Sequence, residues 1–257
     1  MPRRQRESNL VKTLYSGDRR SAAKLITMAE NEDPGTTTMM KEVDRHVGRA
    51  YVIGVTGPLG VGKSTFIDAI VKEYRNRKKT VGVVAIDPSS RVTGGALLGD
   101  RVRLTSNIGD KGVFFRSIST RGCMGGLARC TKNVVKILDA YGSDVIIVET
   151  AGAGQSDVEV QDLVHTTIVI LSPTLGDEIQ LMKSGIVEIA DIFVVNKADL
   201  PGAEIMESML GFCLPKDNWV RPVVKTISNK AEGIKKAADA IQTHRDYWRS
   251  KKESIKK

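Results

Sequence analysis

The chain has 257 residues, 41% apolar and only 5% aromatic, so a sizeable core is available and must be built mainly from Val, Ile, Leu, Ala and Met. Much of the net charge of +9 sits in "RRQR" (3–6) and "RSKKESIKK" (249–257), and no aromatic residues interleave with the basic ones, which counts against a nucleic-acid surface. Three cysteines (Cys123, Cys130, Cys213) argue against a disulfide framework, no apolar run reaches the ~18 residues of a membrane span, and no secretory h-region is visible, so a cytoplasmic protein is expected.

Residues 1–47 read as helical. Leu10, Val11 and Leu14, then Ala22, Ala23, Leu25, Ile26 and Met28, have the spacing of two amphipathic helices broken at Ser16-Gly17-Asp18. Residues 31–38, with Pro34-Gly35, read as a loop. From residue 51 the pattern changes to short apolar runs separated by helical stretches. Strands are expected at 51–56, 81–86, 113–118, 144–149, 166–171, 191–195 and 222–227. Helices are expected near 63–76, 124–141, 178–188, 203–213 and 232–248, the last running into a frayed basic end. The strands are rich in Val and Ile and mostly do not alternate with polar residues, which is how strands covered on both faces read. Strand–helix alternation implies an α/β fold with a doubly wound, mainly parallel sheet. The expected organisation is an N-terminal helical extension (1–47), an α/β domain (48–230) that carries the motifs below, and a C-terminal helix with a basic tail (231–257).

The strand at 51–56 runs into Gly57-Pro58-Leu59-Gly60-Val61-Gly62-Lys63-Ser64, followed by Thr65 and a helix. This is G-x-x-x-x-G-K-[ST] between strand and helix, the context that identifies a phosphate-binding loop. Glycines let backbone amides converge on phosphate oxygens, and the helix N-terminus favours negative charge. Lys63 can reach the β- and γ-phosphates, and the Ser64 hydroxyl can ligate Mg²⁺. Acidic candidates for the metal side are Glu149, closing "DVIIVE", Asp87 in "AIDPSS" and Asp100 in "LLGDRVR". Glu149 and Gly152 form Glu-x-x-Gly where other GTPases carry Asp-x-x-Gly, so the Gly152 amide is placed to sense the γ-phosphate.

"FVVNKADL" holds Asn196, Lys197 and Asp199 after a strand. In N-K-x-D the Asp carboxylate accepts from guanine N1 and N2, a donor pair that adenine lacks, so GTP is expected over ATP. Lys197 can lie along the base. "TISNKAEG" (226–233) follows another strand, and Ser228 is placed to close over the base, although Ser-Asn stands where Ser-Ala is more usual.

Through "LVKTLYSGDRRSAAKLIT", "GPLGVGKST", "AIDPSSRVTGGALLGDRVR", "RGCMGGLARCT", "ETAGAGQSDVEV", "GDEIQLMKSGIVEIADIFVVNKADL" and "AIQTHRDY", nearly the whole chain resembles the GTPases associated with methylmalonyl-CoA mutase, the MeaB/ArgK type. The resemblance implies a GTP-hydrolysing chaperone of an adenosylcobalamin-dependent acyl-CoA mutase, gating cofactor loading from an adenosyltransferase and protecting the mutase. It implies Lys63 and Ser64 on phosphates and Mg²⁺, Asp87, Asp100 and Glu149 on the metal and water side, with Lys63, Asp100 and Glu149 catalytic. It also implies that Asp177, Gln180 and Lys183, in the extra switch segment, relay nucleotide state to the partner. A homodimer is implied through a helical arm beyond "AIQTHRDY"; the sequence ends at Lys257, before such an arm, which counts against that dimer. Ala153 follows Gly152 where small regulatory GTPases carry a water-positioning Gln, so slow intrinsic hydrolysis is expected.

Four other readings remain beside this one. They are a GTPase serving another corrinoid or metal enzyme, a P-loop kinase, a nucleic-acid-associated GTPase and a nickel-type metallochaperone. The kinase lacks an added substrate domain. The nucleic-acid reading rests on charge alone. The metallochaperone would want a His-rich or Cys/His cluster, whereas His46, His165 and His244 are far apart in sequence.

Overall fold

Every strand that flanks the phosphate loop is apolar on both sides, and the architecture explains why. The computed structural model describes residues 3–87, 109–119, 127–150, 162–173, 188–213 and 218–255. Strands β1 (Tyr51–Thr56), β2 (Val81–Asp87), β3 (Val113–Ser119), β4 (Val145–Glu149), β5 (Thr166–Leu171), β6 (Ile192–Asn196) and β7 (Val223–Thr226) form one sheet in the order β3-β2-β4-β1-β5-β6-β7. All its pairings are parallel. The order changes direction around β1: the chain leaves it for β2 on one side and returns through β4 to β5 on the other. Ligands in open parallel sheets bind at the carboxyl ends of strands at such a point.

The alternation hidden in the apolar runs sorts residues to two faces. On one face Ile53, Val55, Ile147, Ile168, Ile170 and Val194 join helix α4 (Lys63–Asn76) and the last described helix, α7 (Ile234–Ile255). On the other, Val52, Val84, Ile86, Ile146 and Val148 join α5 (Leu127–Tyr141) and helices α1 (Arg3–Tyr15), α2 (Arg19–Glu30) and α3 (Thr36–Val43). Val169, Leu171, Phe193 and Val195 pack on α6 (Ala203–Cys213).

The N-terminal helices are fastened to the sheet edge by polar contacts as well. Asp18 caps α2 by accepting from the Ser21 amide at 2.8 Å. The Arg19 guanidinium donates to the Val113 carbonyl at 2.7 Å and lies over the Phe114 ring. Arg116 pairs with Glu30. Two boundaries differ from the sequence reading. Residues 31–38 are not all loop: Gly35, with φ 98°, starts α3 at Thr36, and Met39, Met40 and Val43 are buried in the shared core. The C-terminal helix does not fray at residue 248 but continues to Ile255. The expected helix at 178–188 lies outside the described residues up to 187. No helix among the described residues is long and apolar enough to cross a membrane.

Candidate functional site

The phosphate loop is a tight connection whose glycines are required by contact. Gly57 has φ 141°, and a Cβ there would collide with the Ile170 carbonyl oxygen of β5. Gly62, the N-cap of α4, has φ 94°, and a Cβ would stand 2.5 Å from the Asn196 side-chain nitrogen. Val61 between them is fully buried and anchors the loop to the core. The first bond of α4 runs from the Phe66 amide to the Gly62 carbonyl, so the preceding amides of the turn have no intrahelical acceptor, the arrangement that favours an anion. Leu59 stands out at 75% exposure.

Lys63 is buried, and its amine donates to the carbonyls of Gly57 at 2.7 Å and Pro58 at 3.0 Å. The cation is thereby held across the mouth of the loop. Ser64 Oγ donates to Glu149 Oε1 at 2.9 Å, and both residues are only 8% exposed. A hydroxyl and a carboxylate meeting at the carboxyl ends of β1 and β4 form an all-oxygen donor set, the kind that suits a hard divalent cation. Asp87 ends β2 on the same edge of the sheet, in register with Ser119 and two residues past the Ala85–Glu149 pairing. Its side chain lies outside the described residues, as do Asp100, Gly152, Asp177, Gln180, Lys183 and Cys123. Among the described residues no three His, Cys, Asp or Glu side chains group as a metal site.

Asn196 ends β6 and is buried at 3% exposure. Its Nδ2 donates to the Val61 carbonyl at 2.8 Å. Its Oδ1 accepts from Thr226 Oγ1 at 3.1 Å, from the Ser228 amide at 3.2 Å and from Ser228 Oγ at 2.7 Å. One amide side chain therefore ties the phosphate loop to the segment after β7. Lys197 adopts φ 55°, and its amine donates to the Gly60 carbonyl at 2.8 Å, a second strap onto the loop. Beyond it lies a cavity of about 300 Å³ lined by Gly62, Thr65, Asn196, Lys197, Asp199, Leu200, Ser228 and Asn229.

The structure thus brings Gly62, Thr65, Asn196, Lys197, Asp199 and Ser228 to one cavity, with Lys63 and Ser64 adjoining it along the loop and Glu149, at the end of β4, bonded to Ser64. Leu200, Asn229 and Thr226 take part without having been singled out. The signal for the last two was in "TISNKAEG", where the polar residues follow a strand directly. A sharp return keeps that segment in place: Ser228–Lys230 is a single 3₁₀ turn, Ala231 has φ 58°, and Ile227 bridges Glu232.

Most of the chain is similar to known proteins. The profile of the family described as "Methylmalonyl Co-A mutase-associated GTPase MeaB" matches residues 22–257. A protein of Pyrococcus horikoshii named as a GTPase is 45% identical over 245 residues, covering 93% of this chain and 77% of the relative. A mitochondrial protein of Caenorhabditis elegans named "Methylmalonic aciduria type A homolog" is 33% identical over 263 residues, covering 93% of this chain and 65% of that one. Among solved structures, one titled "LAO/AO transport system kinase" superposes with a TM-score of 0.81 at 25% identity, covering 98% of this chain and 78% of that one. HypB from Helicobacter pylori, solved with nickel, gives a TM-score of 0.58 at 19% identity, covering 82% of this chain and 94% of that one, and shares the fold.

Proposed function

Since the chain belongs to the MeaB family of methylmalonyl-CoA mutase-associated GTPases, we propose that its hydrolysis of GTP serves as a conformational timer for an adenosylcobalamin-dependent acyl-CoA mutase. The chain is a P-loop GTPase and binds guanine nucleotide. The mutase, and the adenosyltransferase that would load its cofactor, are inferred from the family description and from the name of the Caenorhabditis elegans relative.

One observation carries the assignment of the site: Asn196 joins the phosphate loop, through Val61, to Thr226 and Ser228. Phosphate recognition and base recognition are thereby held in one piece. In this reading the amides from Gly57 through Ser64, with Pro58 and Leu59 shaping the outer turn, surround the β- and γ-phosphates. Lys63 exchanges its two carbonyl acceptors for phosphate oxygens. Asp199 accepts from the guanine N1 and N2 groups, Lys197 flanks the base, and Ser228 and Asn229 close over it. Ser64 and Glu149 fit Mg²⁺, with Asp87 and Asp100 completing the acidic side. Bound there, Mg²⁺ would neutralise charge on the β- and γ-phosphates. Glu149 and Asp100 orient the attacking water, and the Gly152 amide senses whether a γ-phosphate is present. Asp177, Gln180 and Lys183 pass that state to the mutase. The three segments 1–47, 48–230 and 231–257 serve as support, GTPase body and closing helix.

The test is GTP hydrolysis by the purified chain, alone and with an adenosylcobalamin-dependent acyl-CoA mutase, beside Lys63→Ala. A basal rate below ~1 s⁻¹, raised tenfold or more by the mutase (about 1.4 kcal/mol of barrier) and lost in Lys63→Ala, is the expected result. A rate indifferent to every mutase tried would refute the chaperone role while leaving the GTPase intact.

A further inference from the structure

A second cavity, of about 320 Å³, opens at the amino ends of β1 and β5. The five steps along six-residue β1, at about 3.3 Å each, place it roughly 17 Å along the strands from the phosphate loop. Its lining includes six cationic residues, Arg49, Lys132, Lys136, Arg245, Arg249 and Lys252, against two carboxylates, Asp139 and Asp162. The carboxylates do not balance the charge. Asp139 is occupied by backbone amides: it accepts from Gly48 at 2.5 Å, Arg49 at 3.2 Å and Ala50 at 3.0 Å. Lys136 is paired outward with Asp44 at 2.6 Å. Arg49, Lys132, Arg245, Arg249 and Lys252 have no carboxylate partner among the described residues.

Two features separate this cluster from an ordinary solvated basic face. Arg245 lies over the buried Tyr51 ring, and its Nε is shut off from solvent with no hydrogen-bond acceptor. That Nε is closed to a ligand, but the stacking holds the rest of the guanidinium in one place on the cavity wall, where its donor fork suits an oxyanion. The cations also converge from separate elements: Lys132 from α5, Arg49 from the approach to β1, and Arg245, Arg249 and Lys252 from one face of α7 at i, i+4 and i+7 spacing. Trp248 and His165, with ring centroids 4.4 Å apart, wall the cavity, and Lys252 is held over Trp248. The field is felt by His165: burial first, and then the Lys252 charge, hold its imidazole down to about pH 4.

We propose that this cavity binds a small polyanion of the diphosphate class, at a site separate from the one that holds GTP. Several cations around a volume of this size match two linked phosphate groups better than a single one. An acidic polypeptide is the rival occupant.

Pyrophosphate is the probe. It is titrated calorimetrically into the full chain saturated with GDP, so that the phosphate loop is already filled, and again into Lys63→Ala. One equivalent is expected to bind in both. The double variant Arg249→Gln/Lys252→Gln changes only exposed side chains, and it should weaken pyrophosphate at least tenfold while leaving GDP affinity unchanged. The His165 imidazole, followed by NMR, should titrate at higher pH when pyrophosphate is bound, because the anion offsets the neighbouring cations. No binding to the GDP-saturated chain, equal binding by the double variant, or displacement by poly-glutamate with no response to pyrophosphate would overturn the proposal. Loss of GDP binding itself would count against the GTPase site and not against this one.

Discussion

At the scale of single residues, Asn196 is the side chain on which most depends. Its four hydrogen bonds are buried, so removing it strands the Val61 carbonyl and the Thr226 and Ser228 donors. Asn196→Ala is expected to cost about 2–4 kcal/mol of stability. GDP affinity should fall with it, because the two halves of the site lose their link; urea unfolding and calorimetry check both. Asp199 has a narrower part, lining the cavity without holding the loops together. Asp199→Asn presents an amide donor to the guanine donors, and should weaken GDP at least a hundredfold (about 2.7 kcal/mol) with little change in the unfolding midpoint. Retained GDP affinity would remove Asp199 from the base site. Sequence motifs pointed to both residues, but not to their division of labour. N-K-x-D reads as one base-binding unit, whereas here its Asn works on the protein and its Lys straps the phosphate loop at Gly60.

At the scale of elements, the entry to β1 shows how a helix fixes a strand. Asp139, from α5, accepts from the amides of Gly48, Arg49 and Ala50 just before the strand begins. Asp139→Ala should cost about 1–3 kcal/mol, part of the loss being softened by water at the exposed Gly48 and Arg49. A unchanged urea midpoint would rule out this anchoring. The strands themselves were legible in sequence to within a residue or so, because each is a short Val/Ile-rich run bounded by turn residues. The start of α3 was not, since Pro34-Gly35 reads as a turn, and only burial of Met39, Met40 and Val43 makes the residues after it helical. The length of α7 was obscured likewise. Its last two turns are basic and exposed, so periodicity carries no signal there, and the helix persists as a continuation of the buried part around Ile234, Ala237, Ala238 and Ile241.

At the scale of the whole molecule, the nucleotide edge of the sheet and the basic cavity lie at opposite ends of the same strands. At the amino end, His165 joins β1 to α7: its Nδ1 accepts from the Val52 amide at 2.9 Å, and Trp248 of α7 packs on its ring. Its pKa is depressed to about 4, mainly by burial and next by Lys252, with Arg245 and Arg249 acting in the same direction and Asp139 against. Unfolded, the ring titrates near 6.5, so between pH 6.5 and pH 4 the unfolded chain takes up a proton that the folded one refuses. Stability from this group is therefore full above about pH 6.5 and lost as pH falls toward 4. The melting temperature should drop from pH 7 to pH 5, and His165→Gln should narrow that difference; an unaltered difference would show that other groups cause it. By itself the sequence determined the α/β class, the phosphate loop and the family, and it pointed to N-K-x-D as a candidate base site, because each is written in contiguous residues whose chemistry is local. Only the tertiary structure decided which residue of each apolar strand faces α4 and which faces α5, that Asn196 is a clamp, and that Arg49, Lys132 and Arg245 converge on one cavity. Those outcomes depend on which strands become neighbours, and strand order is set by packing between segments tens of residues apart.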